Sequence, residues 1–197
     1  MGIGKYNYKK YKGVYKIWYN ILSRCYKLIS VNYIRYGAKG VIVCDEWLNF
    51  QNFCQWYLDN SKWNINNYIL EVDKDILLYT NHLKIKIYSP DTCLLIPMEL
   101  NSYLAGDCLE CGIENRNNKF RARICLNKKQ IALGTFNTFK EAKEVYAKEK
   151  KKYWFEEVNK FKLPNDLKET LLKYDFSWSW LLNNMTEEEI REKYYTK

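Results

Sequence analysis

Residues 70–101 read LEVDKDILLYTNHLKIKIYSPDTCLLIPMELN, and the fold turns on how they are divided. The stretch opens with an apolar and acidic run, Leu70-Glu71-Val72-Asp73-Lys74-Asp75-Ile76-Leu77-Leu78. It then passes a polar turn that holds the chain's one histidine, His82. It returns through Leu83-Lys84-Ile85-Lys86-Ile87-Tyr88, where apolar residues recur at every second position, the period of a strand. Ser89 ahead of Pro90 is the usual start of a helical turn. Strand, polar loop, strand and short helix is the expected order.

Upstream, residues 14–28 place Val14, Ile17, Trp18, Ile21, Leu22 and Cys25 at three- and four-residue spacing, the apolar face of a helix. Lys16, Asn20, Arg24 and Lys27 fall on its other face. Residues 32–40 read as loop, and Val41-Ile42-Val43-Cys44 as a short buried strand. Asp45 and Glu46 suit the start of a second helix, over residues 47–58.

Downstream, residues 112–115, 120–126 and 130–135 read as three strands, with asparagine- and lysine-rich turns between them. In the middle strand Phe120, Ala122, Ile124 and Leu126 face one way and Arg121, Arg123 and Cys125 the other. Thr138 caps a helix that runs toward Phe161. Leu163-Pro164 breaks the chain, and a helical extension follows over residues 163–197, with an apolar cluster at Trp178, Trp180, Leu181 and Leu182. A last acidic helix is capped at Thr186.

Composition limits the function classes. The 197 residues are 47% apolar, enough for a real core and too much for a disordered chain. No apolar run approaches the ~20 residues of a membrane helix, so no membrane partner is expected. The opening MGIGKYNYKKYKG is no secretory signal, and seven scattered cysteines then imply free thiols in a reducing cytoplasm. The formal net charge of +9 is unevenly spread. Residues 1–39 carry +9, residues 40–110 carry −6, residues 111–153 carry +8 and residues 154–197 carry −2. Two basic blocks around an acidic middle suit a protein that grips a polyanion with its outer parts. The lysines and tyrosines of residues 5–12 form a basic arm, 1–13, whose rings and ammoniums suit bases and phosphates, or simply solvate a tail.

Four blocks carry a family resemblance: WYNILSRCY at 18–26, VCDEWLNFQNF at 43–53, VDKDI at 72–76 and YSPDTC at 88–93. Together, in this order, they resemble phage HNH homing-endonuclease-like proteins, many of which carry a C-terminal Apetala-type DNA-binding domain. The motif LGTF at 133–136, followed by Glu141-Ala142, resembles that second domain. The resemblance implies an α+β protein: a degenerate ββα-metal (HNH-like) domain over residues 14–104, then a three-stranded antiparallel sheet packed on one helix over 108–162, then the extension. It also implies a sheet laid in the major groove of double-stranded DNA, with Arg116, Lys119, Arg121, Arg123, Lys128 and Lys129 as contacts. The family's tryptophan before the second-strand arginines is Phe120 here, so base preference does not transfer.

The same resemblance frames the question of cleavage. HNH nucleases use a pair of histidines, an asparagine and a metal ion to activate water and neutralise the leaving oxygen. One histidine makes the pair impossible. Asp73 stands where the first histidine would be, and Thr92 where related nucleases have asparagine. Three readings stay open. In the first, Asp73 and Asp75 share a strand face and bind Mg²⁺ or another divalent cation, with His82 as base and Asn81 beside it. In the second, the carboxylates only stabilise turns and the scaffold binds DNA without cutting it. In the third, a phage uses the scaffold in the host cytoplasm as a counter-defence inhibitor, such as an anti-CRISPR, whose partner is RNA or a host nucleoprotein complex. Cys108 and Cys111 form half a zinc site, short of the four ligands structural zinc takes, so zinc is not expected. Cys25, Cys44 and Cys54 read as small buried hydrophobes.

Overall fold

The computed structural model describes residues 4–81, 86–105, 112–126 and 129–176. His82, residues 83–85 of the strand expected over 83–88, Cys108 and Cys111, Lys128, the Trp178/Trp180 cluster and the helix expected after Thr186 lie outside them. The protein is α+β, and the chain divides after Met98 into two compact units.

In the first unit, α1 (Lys12–Tyr26) and α2 (Phe50–Asn60) contribute apolar faces to one core. The expected spacing on α1 holds: Ile21 and Cys25 are buried, with Val14, Ile17, Trp18 and Leu22 packed around them. Trp47 sits at the centre, edge-on to Phe53 at 5.0 Å and tilted against Trp56 at 4.6 Å. Truncating such a buried indole costs about 3–5 kcal/mol. The second helix starts later than its apolar spacing suggests. Asp45–Leu48 form a tight helical turn, and Asn49, whose side chain accepts from the Gln51 amide at 2.9 Å, caps α2.

The organising stretch folds differently from its expected order. β2 (Leu70–Asp73) is a strand, but it stops at Asp73, and Asp75–Thr80 form helix α3. The cause is local. The Asp73 carboxylate accepts from the amides of Asp75 at 2.8 Å and Ile76 at 2.7 Å, and turns the chain into a helix that buries Ile76 and Leu78. β3 is only Ile87–Tyr88, and it pairs in parallel with β1 (Ile42–Val43), not with β2. Ser89-Pro90 opens no helix. It begins a turn that leads into β4 (Leu94–Pro97), and β4 is the antiparallel partner of β2, with Val72 opposite Leu95.

In the second unit, β5 (Ile113–Arg116), β6 (Lys119–Leu126) and β7 (Lys129–Phe136) form the expected three-stranded antiparallel sheet. Asn117 and Asn118, both at positive φ, make the two-residue turn between β5 and β6. A bulge between β6 and β7 lets Leu133 pack on the core. Ala122 and Ile124 face inward onto α5 (Phe139–Asn159). The Thr138 hydroxyl accepts from the Glu141 amide at 3.2 Å, and the Glu141 carboxylate accepts in return from the Thr138 amide at 3.3 Å, closing the capping box.

The buried residues of α5 are Ala142, Tyr146, Lys150, Trp154 and Val158, each four positions after the last. At 3.6 residues per turn this stripe rotates by ~40° at every step, so the helix faces different neighbours at its two ends. Its first half covers the sheet. Its second half places Trp154 against Tyr103 of α4 (Met98–Ala105) at 5.6 Å and against Tyr174 at 6.2 Å. The Trp154 indole N–H donates to the Leu171 carbonyl of α6 (Asn165–Leu172) at 2.6 Å.

Candidate functional site

Two groups of residues carry chemistry, one in each unit. In the first unit, the end of β2 and the start of α3 hold Asp73, Lys74 and Asp75 side by side in sequence but not on one strand face. This differs from the arrangement expected of them. Asp73 is the last residue of the strand and Asp75 the first of the helix. Burial, and then the neighbouring Asp75 charge, push the Asp73 carboxyl up to about 6 despite its two amide bonds. Lys74 is buried too. Burial alone would lower its ammonium, but the Asp75 carboxylate that it hydrogen-bonds holds it above the ordinary value.

Around this trio lie Arg24, Tyr36 and Tyr88. The Lys74 ammonium is 5.5 Å from the Tyr36 ring centre and 5.9 Å from that of Tyr88. The Arg24 guanidinium lies over Tyr36 at 5.0 Å and donates to the Tyr88 hydroxyl at 3.3 Å. Arg24 is thus drawn inward from the polar face of α1, where the helical spacing alone would leave it. Burial also pushes the Tyr88 hydroxyl upward.

As folded, this cluster does not fit a hard divalent cation well. Such ions take six or more oxygens, whereas here one oxygen of Asp73 bonds backbone amides and one of Asp75 bonds an ammonium. Among the described residues no group of three or more His, Cys, Asp or Glu side chains is gathered as a cation would require. Asn81 caps the far end of α3, ~9 Å along the helix from Asp75 at 1.5 Å per residue, so the structure does not bring it beside the carboxylates. Thr92 is committed to its own turn. Its hydroxyl donates to the Ile87 carbonyl at 2.6 Å and accepts from the Ser89 amide at 3.2 Å.

In the second unit, strand register sorts the sheet into two faces. Opposite residues share a face, and Arg116 lies opposite Lys119, Glu114 opposite Arg121, and Arg121 opposite Thr135. Arg123, opposite Ala132, lies on this same side, because Ala122 and Ile124 take the buried one. Arg116, Lys119, Arg121 and Arg123 therefore point away from α5. Lys119 to Arg123 spans ~13 Å at 3.3 Å per residue, close to the ~12 Å width of the DNA major groove. Arg116, Lys119 and Arg121 make no ion pair with any described residue. Lys129, exposed at the start of β7, stands at the opposite end of β6 from the Asn117-Asn118 turn.

The sequence gives no hint of the acid on this face. Arg123 donates to the Glu114 carboxylate at 2.6 Å and to the side-chain amide oxygen of Gln130 at 3.3 Å. Both charged side chains are about one-third exposed, so the pair is screened by solvent. The sequence could have pointed to Glu114 only once the β5–β6 register was known. The cluster of Arg24, Tyr36, Lys74 and Tyr88 has no local signal at all, since its members come from four separate stretches. Compared with known protein families, with curated proteins and with solved structures, the chain matches none.

Proposed function

We propose that this protein binds double-stranded DNA through the open face of the β5–β6–β7 sheet. One observation carries the reading: the strand register gathers Arg116, Lys119, Arg121 and Arg123 on the sheet face opposite α5. A basic face of groove width supplies phosphate contacts, and arginine forks can pair with base edges. The block from 111 to 153, with its +8 charge, adds long-range attraction to a polyanion. Hydrolysis at Asp73 has weaker support, because that carboxylate already caps α3.

The test is duplex binding followed by fluorescence anisotropy, with a Lys119→Ala/Arg121→Ala variant beside the wild type. Neither side chain has a partner among the described residues, so the variant keeps its fold and its melting temperature. Affinity is expected to fall about tenfold or more at physiological salt. Unchanged affinity would move the site off the sheet.

A further inference from the structure

The segment between α1 and β1 presents apolar side chains to solvent in a way the fold does not require. Leu28 is 76% exposed, Ile29 95%, Val31 87% and Ile34 73%. Scattered surface apolar residues are ordinary, but four within seven positions make a patch. The segment that carries them is wound tight. Ser30 bonds back to Lys27, Tyr33 to Ser30, Tyr36 to Asn32 and Tyr33, and Gly40 to Gly37. Gly37 has no room for a side chain, since a Cβ there would lie 2.1 Å from the Cys25 carbonyl oxygen. Tyr36 fixes the far side of the loop against Arg24 and Lys74.

Cations frame the patch. Lys27, Arg35 and Lys39 are exposed on the same segment, and the first acid in the chain is Asp45. A polyanion with an apolar interior complements such a surface, and duplex DNA is one: phosphates outside, stacked bases within. Proteins that kink DNA do so by inserting isoleucine, leucine or similar side chains at a base step, with basic residues on the flanking phosphates. Four short side chains on a tight loop suit a wedge of that size. A lipid-embedded surface more often uses the whole apolar stripe of an amphipathic helix.

The geometry points to the loop of residues 27–39 as a DNA wedge: Ile29, Val31 and their neighbours enter the duplex at a base step while Lys27, Arg35 and Lys39 meet phosphates. This rests on the duplex-binding reading above, and it assigns the first unit a separate contact on the same ligand.

The probe is a mixed-sequence duplex with 2-aminopurine at a central TA step and a donor–acceptor dye pair at its ends, incubated with the full chain. The wild type is expected to raise 2-aminopurine emission and shorten the end-to-end distance. Ile29→Ser/Val31→Ser should abolish both while affinity drops no more than about threefold, because the sheet still holds the duplex. A Lys27→Ala/Lys39→Ala variant should weaken both signals in parallel. Ile29, Val31 and Lys39 are exposed and Lys27 gives up only a surface contact with Tyr19, so melting temperatures stay level. Wild-type binding with neither unstacking nor bending overturns the wedge and leaves the sheet reading intact. The same holds if the serine variant unstacks and bends like wild type. Binding to phosphatidylserine vesicles that is lost in the serine variant, with no duplex unstacking, assigns the patch to lipid and overturns it as well. Absence of any duplex binding defeats the sheet reading first, and the wedge with it.

Discussion

Asp73 shows how much one side chain decides. Its carboxylate ends a strand, starts a helix and is held up to about 6 by burial beside Asp75. Folding therefore favours its protonated form between the ordinary value of 3.8 and about 6. The stability it contributes is greatest below pH 4, declines as pH rises to about 6 and is flat above that. Asp73→Asn keeps an acceptor for the two amides and removes the charge. It is expected to flatten the pH dependence of the melting temperature between pH 4 and 6.5, and to melt no lower than wild type at pH 7.5. A variant with an unchanged pH profile would show that the carboxyl titrates normally. Glu114 is the second telling residue. It ties Arg123 and places a negative charge on the basic face. Glu114→Gln should strengthen duplex binding a few-fold, as the loss of a like-charged repulsion to phosphate requires. Weaker binding would mean that the Glu114–Arg123 pair is itself what presents the arginine.

At the scale of elements, what could be read from sequence depended on how strong each local pattern was. α1 was legible because its apolar spacing is regular, and the three strands of the second unit because turn residues punctuate them. Thr138 and Glu141 marked the start of α5. The 70–101 stretch departs from its expected order for a physical reason: a short continuous apolar run does not distinguish strand from buried helix. Ile76-Leu77-Leu78 became helix once Asp73 offered a cap, and Leu94-Leu95-Ile96-Pro97 became strand because both of its faces are covered. The pairing of β2 with β4 skips over β3, and nothing local encodes that choice. On α5 the four-residue stripe includes Lys150, whose ammonium donates to the Tyr103 carbonyl oxygen at 3.3 Å, and a buried lysine breaks any simple apolar count. The cap can be tested on its own. Thr138→Ala loses the hydroxyl half of the capping box, leaving the Glu141 carboxylate on the backbone amide, and should cost about 1 kcal/mol, read by urea denaturation. A loss below about 0.3 kcal/mol would mean that sheet packing alone fixes the helix start.

For the whole molecule, charge is the property that links the parts. Residues 1–39 and 111–153 hold all of the excess lysine and arginine, the other two blocks being net acidic, and they fall in different compact units. Composition alone showed this division. What composition could not show is which side chains share a face, because that follows from pairing register. No helix among the described residues is long and apolar enough to cross a membrane. Binding through the sheet makes a specific demand on salt dependence, since each neutralised phosphate releases condensed counterion and adds about 0.9 to the logarithmic slope.

The most direct measurement is therefore the duplex dissociation constant of the full chain across a salt series from about 50 to 200 mM, with Arg116→Ala/Arg121→Ala alongside wild type. A sheet docked on DNA predicts a steep fall in wild-type affinity and a slope shallower by about 2 in the variant. Parallel lines for the two proteins, or wild-type affinity that does not change with salt, would contradict it.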